Sequence, residues 1–148
     1  MLSIKTKKFE ELTINELYGL LQLRSEVFVV EQDCVYQDID YKDQKALHIL
    51  GFKNDKIVAY TRVFKSGDYF KYASIGRVVV AENERKFKYG YDIMKASIKA
   101  ILDNYNETTI KISAQTYLTK FYNNLGFKQI GEEYLEDGIP HIAMFKKA

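Results

Sequence analysis

Ile75-Gly76-Arg77-Val78-Val79-Val80-Ala81-Glu82-Asn83-Glu84-Arg85-Lys86-Phe87-Lys88-Tyr89-Gly90-Tyr91 is the stretch on which the reading of this 148-residue chain turns. It passes from a β-branched strand, through a polar loop, into the start of a long helical pattern. The first amides of a helix have no partner inside it, and the helix dipole lies behind them, so such a junction is an anion seat. Arg85, Lys86 and Lys88 add positive charge there. By itself the stretch leaves two readings open, a pyrophosphate seat and a solvated basic turn. An RNA-binding strand with interleaved rings ranks third, because its rings must lie on a strand face and these lead into a helix.

Downstream, Ile93, Met94, Ile98, Ile101, Leu102 and Tyr105 recur every three or four residues and predict a helix from near Gly90. Residues 108–114 alternate as a strand, 117–125 form a short helix closed by Gly126, and 127–134 and 139–145 pair across Glu136-Asp137-Gly138. Upstream, Thr13-Ile14-Asn15-Glu16 has the form of a capping box. Leu17, Leu20, Leu21, Val27 and Phe28 carry the helix it opens to about Val30. A polar, Asp-rich stretch, 31–44, then reads as a long loop or a short irregular helix. Strands follow at 47–52 and 57–64, joined by Asn54-Asp55, and a third at 72–80. The order is α, β-β-β, α, β, α, β-β, an α/β chain with one parallel pair inside a mixed sheet.

The length suits one domain over 1–148, with no linker, repeat or low-complexity tract. Net charge is +2, which gives no general reason to expect nucleic acid or a membrane surface as partner. No apolar run approaches the roughly 20 residues of a membrane-spanning helix, and 1–10 lacks the apolar core of a secretory signal. One cysteine, Cys34, excludes an internal disulfide framework and a thiolate zinc site; a reduced, cytoplasmic setting and no metal are expected.

The anion-seat segment resembles the acetyl-CoA loop of the GNAT superfamily of N-acetyltransferases, whose motif is Gln/Arg-x-x-Gly-x-Gly/Ala. Arg85 takes the first position and Gly90 the last, while Lys88 stands where the first glycine is usual. Residues 115–127, Gln-Thr-Tyr-Leu-Thr-Lys-Phe-Tyr-Asn-Asn-Leu-Gly-Phe, are similar to the second signature of that superfamily. Blocks at 24–32, 36–38, 75–80 and 135–141 resemble its ElaA-like group, so the likeness spans nearly the whole chain in order.

The resemblance implies a GNAT fold, a mixed central sheet flanked by helices, and transfer of acetyl from acetyl-CoA to a primary amine by direct attack. It implies that the pantetheine arm runs along the backbone of Val78, Val79 and Val80, with the Val79 amide polarising the thioester carbonyl. Pyrophosphate would rest on the loop and helix start formed by Arg85, Lys86, Phe87, Lys88, Tyr89, Gly90 and Tyr91, with Gln115 beside the cofactor. Tyr122 matches the tyrosine that protonates the departing thiolate. The acceptor, a small-molecule or peptide amine, is not named by the sequence, and homodimers built on edge strands are common among relatives.

Other polar residues carry less specific expectations. Arg24 and Glu31 continue the apolar stripe of the first helix, so they either line an acceptor pocket, with Glu31 as base, or pair with other residues to fix the helix. His48 reads as a satisfied core histidine, His141 has no assigned role, and Cys34 reads as structural. Asp33, Asp38, Asp40 and Asp43 read as a solvated loop, without the spacing of a calcium loop. The competing class is a weakly active acyl-CoA-binding module on the same fold, kept open by Lys88.

Overall fold

Asn54 and Asp55 both adopt left-handed backbone, with φ of 53° and 65°, and so close the two-residue hairpin their types predict. Asp137 and Gly138 do the same at the last hairpin, with φ of 51° and 77°. In this computed structural model, which describes residues 2–147, these turns join the strands of a seven-stranded sheet. The elements are β1 (Ser3–Lys8), α1 (Ile14–Arg24), β2 (Leu47–Lys53), β3 (Lys56–Phe64), β4 (Ala73–Val80), α2 (Tyr89–Tyr105), β5 (Ile110–Gln115), α3 (Thr119–Asn124), β6 (Lys128–Glu136) and β7 (Ile139–Lys146).

Strand order is β1-β2-β3-β4-β5-β7-β6, and only β4 and β5 run parallel. Alternation divides the sheet between the helices. Leu50 and Tyr60, cross-strand partners, pack with Leu20, Leu23 and Phe28 on the α1 side. Ile49 and Val63 pack with Ile93, Met94 and Ile101 on the α2 side. The capping box forms as expected: Glu16 N–H donates to Thr13 Oγ1 at 3.0 Å, and Thr13 N–H to Glu16 Oε1 at 2.9 Å.

β1 is absent from the sequence reading. It is an edge strand, almost wholly exposed, so it has no buried face to print an apolar alternation on its lysines. The first helix does reach about Val30, but it widens into a π-helix over Ser25–Glu31.

Two departures from regular pairing shape the middle of the sheet. The parallel ladder of β4 and β5 holds only at Ala73–Ile110 and Ser74–Lys111, after which the strands part. Against β3, β4 carries an extra residue: Tyr60 pairs with Val79 but Arg62 with Gly76, and Arg77 at the shift has φ of 51°. This is a β-bulge, and it sits where β4 leaves β5.

Candidate active site

A cleft of about 120 Å³ opens where β4 and β5 part. β4 offers Val78 on one side; β5, the 3-10 turn after it and α3 offer Gln115, Leu118 and Tyr122 on the other. From the parting onward the edge of β4 facing β5 has no strand partner, so backbone groups along it are open to pairing with an extended ligand, apart from the Val80 carbonyl. Strand geometry says which ones. Ala81 N–H donates to Val58 O on β3, whereas the Val80 carbonyl accepts from Arg85 Nε on the other side. Backbone groups alternate in direction along a strand, so above the bulge the Val79 amide faces β3 and that of Val80 faces the open edge. The Val79 amide, expected to polarise the thioester carbonyl, is thus turned away from the open edge.

The stretch between β4 and α2 is a 3-10 helix, Glu82–Phe87, followed by Lys88 in left-handed conformation at φ 60° and ψ 30°. That geometry is the one a glycine adopts without cost; in an L-residue it costs roughly 1–2 kcal/mol. No side chain caps the first turn of α2; Tyr91 N–H donates to the Lys88 carbonyl at 3.1 Å, and the other amides of the turn are left for solvent or an anion. Lys86 and Lys88 form no ion pair among the described residues. Arg85 is held by Glu31 in a two-pronged pair at 2.6 and 2.8 Å. These features fit a CoA pyrophosphate. Gly90 serves packing: a Cβ there would come within 3.2 Å of the Phe121 ring.

Tyr122 is 5 % exposed, yet its residue lines the cleft. Burial pushes its phenol well above the ordinary tyrosine value, so it carries its proton at neutral pH. Gln115 exchanges hydrogen bonds with Gln32 at 3.2 and 3.4 Å, tying β5 to the end of the π-helix. Cys34, half-buried, donates to the Asp137 carbonyl at 3.3 Å and links the long loop to the β6–β7 turn.

Beyond Gln115 the cleft is bounded by β6 and β7. His141 Nδ1 sits 2.7 Å from the Ile139 carbonyl, which can only accept, and Nε2 lies 3.4 Å from Glu136 Oε2. Ser113 Oγ donates to the other oxygen of Glu136 at 3.2 Å.

Arg24 is fully buried and does not line the cleft. Its Nε donates to Asp38 Oδ2 and one terminal nitrogen to Asp43 Oδ1, both at 2.8 Å. Of the two roles expected for it, the geometry is that of fixing the helix. Arg62 spans Asp40 and Asp43 at 2.7 to 2.9 Å, and Arg77 meets Asp38 at 2.7 Å. Asp38 and Asp43 are thus buried and Asp40 is largely so, which corrects the reading of a solvated loop. The guanidinium groups hold the Asp40 and Asp43 carboxyls below the usual carboxylate range, against the opposing effect of burial. His48 is the satisfied core histidine expected: Nε2 donates to the Asp43 carbonyl at 2.9 Å, so Nδ1 accepts from Tyr60 Oη at 2.6 Å. Burial lowers its pKa and keeps it neutral.

The sequence reading did not single out Arg62, Arg77 or Ser74. A charged residue inside the apolar run Ile57-Val58-Ala59-Tyr60-Thr61-Arg62-Val63-Phe64 was the available signal.

A seven-stranded mixed sheet parted at its parallel pair, with an uncapped helix start beside the opening, defines an acyltransferase scaffold, and comparison with known proteins agrees. Residues 8–148 match the Acetyltransferase (GNAT) domain, so the chain belongs to the GNAT acetyltransferase family. Within that family it is ElaA-like. It is 45 % identical to Protein ElaA of Escherichia coli over 93 % of this chain and 91 % of that protein. The crystal structure of Escherichia coli ElaA superposes with a TM-score of 0.92 at 42 % identity, covering 99 % of this chain and 100 % of that one. An acyl-CoA N-acyltransferase from Pseudomonas aeruginosa superposes equally well, with a TM-score of 0.92 at 37 % identity and 99 % of each chain covered.

Proposed function

We propose that this protein transfers acetyl from acetyl-CoA to a primary amine by direct attack. The observation that carries the reading is the unpaired edge of β4, which ends beside Tyr122 and begins α2 through an uncapped turn. The pantetheine arm pairs with that edge, and the Val80 amide donates to the thioester carbonyl as charge develops on its oxygen. The acceptor ammonium first sheds a proton; Glu136 and His141 are cleft side chains able to take it. The amine nitrogen then bonds to the acyl carbon, the carbon–sulfur bond breaks, Tyr122 gives its proton to the thiolate, and the second proton shed by the nitrogen restores the phenol. Glu31 acts through Arg85, as a positioning residue for the loop, and not as the base.

Calorimetric titration with acetyl-CoA, CoA and ATP tests the cofactor half of this reading. Binding of both CoA species without ATP is the expected result. No binding of either at millimolar concentration would overturn it and leave a GNAT-shaped interaction module. Tyr122→Phe tests the chemistry: turnover should fall about 100-fold, the lower end for a general acid, while acetyl-CoA affinity holds. Unchanged turnover would remove Tyr122 from the mechanism.

A further inference from the structure

Three buried side-chain polar atoms have no hydrogen-bond partner among the described residues: Arg62 Nε, Ser74 Oγ and Arg77 Nε. Arg77 Nε lies 2.7 Å from Asp38 Oδ1, close enough for an ion pair but outside hydrogen-bond geometry. A buried donor left unmet costs about 1–3 kcal/mol, and such atoms are few in native proteins. All three belong to residues lining the one cleft described above.

They are also neighbours in the sheet. Arg62 pairs across the strands with Gly76, and Phe64 with Ser74. Directly opposed residues point to the same face, so Arg62, Ser74 and the bare Cα of Gly76 share one. A Cβ on Gly76 would meet no atom within 4 Å. Open space therefore lies at Gly76, on the sheet face that Arg62 and Ser74 share, in a cleft also lined by Phe64, Tyr69 and Phe70.

We propose that this corner receives a carboxylate, so that the acceptor is an amino acid or a similar small amine bearing a carboxylate. This deepens the acetyl-transfer reading and rests on it. Two of the three donors are guanidinium N–H groups, which make charge-assisted bonds, and the third is a hydroxyl. A carboxylate has two oxygens to meet them, whereas an amide carbonyl has one. Arg24, Arg62 and Arg77 are already balanced by Asp38, Asp40 and Asp43, so directed hydrogen bonds hold the ligand rather than net charge. The same cleft is lined on its β6–β7 side by Glu136 and His141, which suits the ammonium end of such a molecule.

The test uses the CoA-saturated protein, in which no acetyl can be transferred, and reads the Arg62 Nε–H signal in proton–nitrogen NMR spectra. Arg62→Lys assigns that signal by its loss. Probes are alanine, lysine and phenylalanine, each with its amide and its decarboxylated amine. At least one amino acid should shift the signal and bind about tenfold or more tightly than its amine and its amide. Gly76→Ala fills the space without a clash, and Ser74→Ala deletes an unpaired hydroxyl. Each should cut that preference to about threefold or less, with CoA affinity and the unfolding midpoint retained. Equal binding of acid, amide and amine, a preference untouched by Gly76→Ala, or an Arg62 signal that no probe moves would each overturn the proposal. Failure of CoA to bind would instead overturn the acetyl-transfer reading, and the same probes would then be compared on the free protein.

Discussion

The protein handles charge in two opposite ways within one cleft's reach. In the cluster behind β3 and β4, three arginines and three aspartates are sealed together, and Arg24 and Arg62 are 0 % and 1 % exposed. In the loop before α2, Lys86 and Lys88 stand in solvent, and only Arg85 is held, by Glu31. Sealed charges balance one another, though Arg62 Nε and Arg77 Nε keep unmet hydrogen-bond capacity, and they fix where strands, loop and helix meet. Exposed charges at a helix start keep their electrostatic reach for a ligand. The sealed arginines fix architecture with most of their donors and keep Arg62 Nε and Arg77 Nε for the proposed acceptor corner, whereas the loop lysines stand in solvent.

The contrast is sharpest if one arginine is removed from the sealed cluster. Arg24→Ala strips Asp38 and Asp43 of a shared partner without giving them access to water. It should cost about 3–5 kcal/mol in urea denaturation, the usual penalty for breaking a buried pair. Lys86→Ala should change stability by less than about 0.5 kcal/mol. Similar losses from both would erase the distinction.

Acid provides a milder probe of the same cluster. His48, Asp40 and Asp43 all have pKa values lowered by folding, so the unfolded chain binds more protons than the native one as pH falls. The stability contributed by His48 is fully present above its unfolded value near 6.5 and is lost as pH falls through its folded value. That of the aspartates is present above about 4 and lost below it. Unfolding free energy measured against pH should therefore decline on the acid side, first as His48 charges and again as the carboxylates protonate. A His48→Gln variant that kept the first decline would assign it elsewhere.

The smallest expected effect lies in the loop. Lys88→Gly removes a left-handed L-residue and should raise stability by about 1 kcal/mol, read as a shift in the denaturation midpoint. Acetyl-CoA affinity should hold or rise. A clear loss of affinity would show that the Lys88 ammonium meets phosphate, which would place it among the recognising charges in its own right.

Local chemistry in the sequence reached a long way. The capping box at Thr13, the turns at Asn54-Asp55 and Asp137-Gly138, and Gly126 at φ 94° each specify their own backbone and could be read in place. The helical period of α2 and the polar loop before it could likewise be read in place. What escaped was non-local. Arg24 meets its aspartates 14 and 19 residues away, and Arg77 meets Asp38 at a separation of 39. No period or motif records such pairings. The bulge at Arg77 was hidden for a related reason, since a strand's extra residue shows only against its partner. β1 lacked a signal altogether, being an exposed edge.

The packing of Gly90 against Phe121 acts as a fixed spacer. Tyr91 and Phe121 lie ring to ring at 4.8 Å, and Asn124 Nδ2 donates to Tyr91 Oη at 3.0 Å. The start of α2 and the short helix bearing Tyr122 are thereby fastened into one unit. In the proposed reaction these are the two ends between which the cofactor's arm is stretched, its phosphates at one and its sulfur at the other. The protein thus carries a built-in gauge of arm length, and a thioester too short to reach both ends would be refused whatever acyl group it bore.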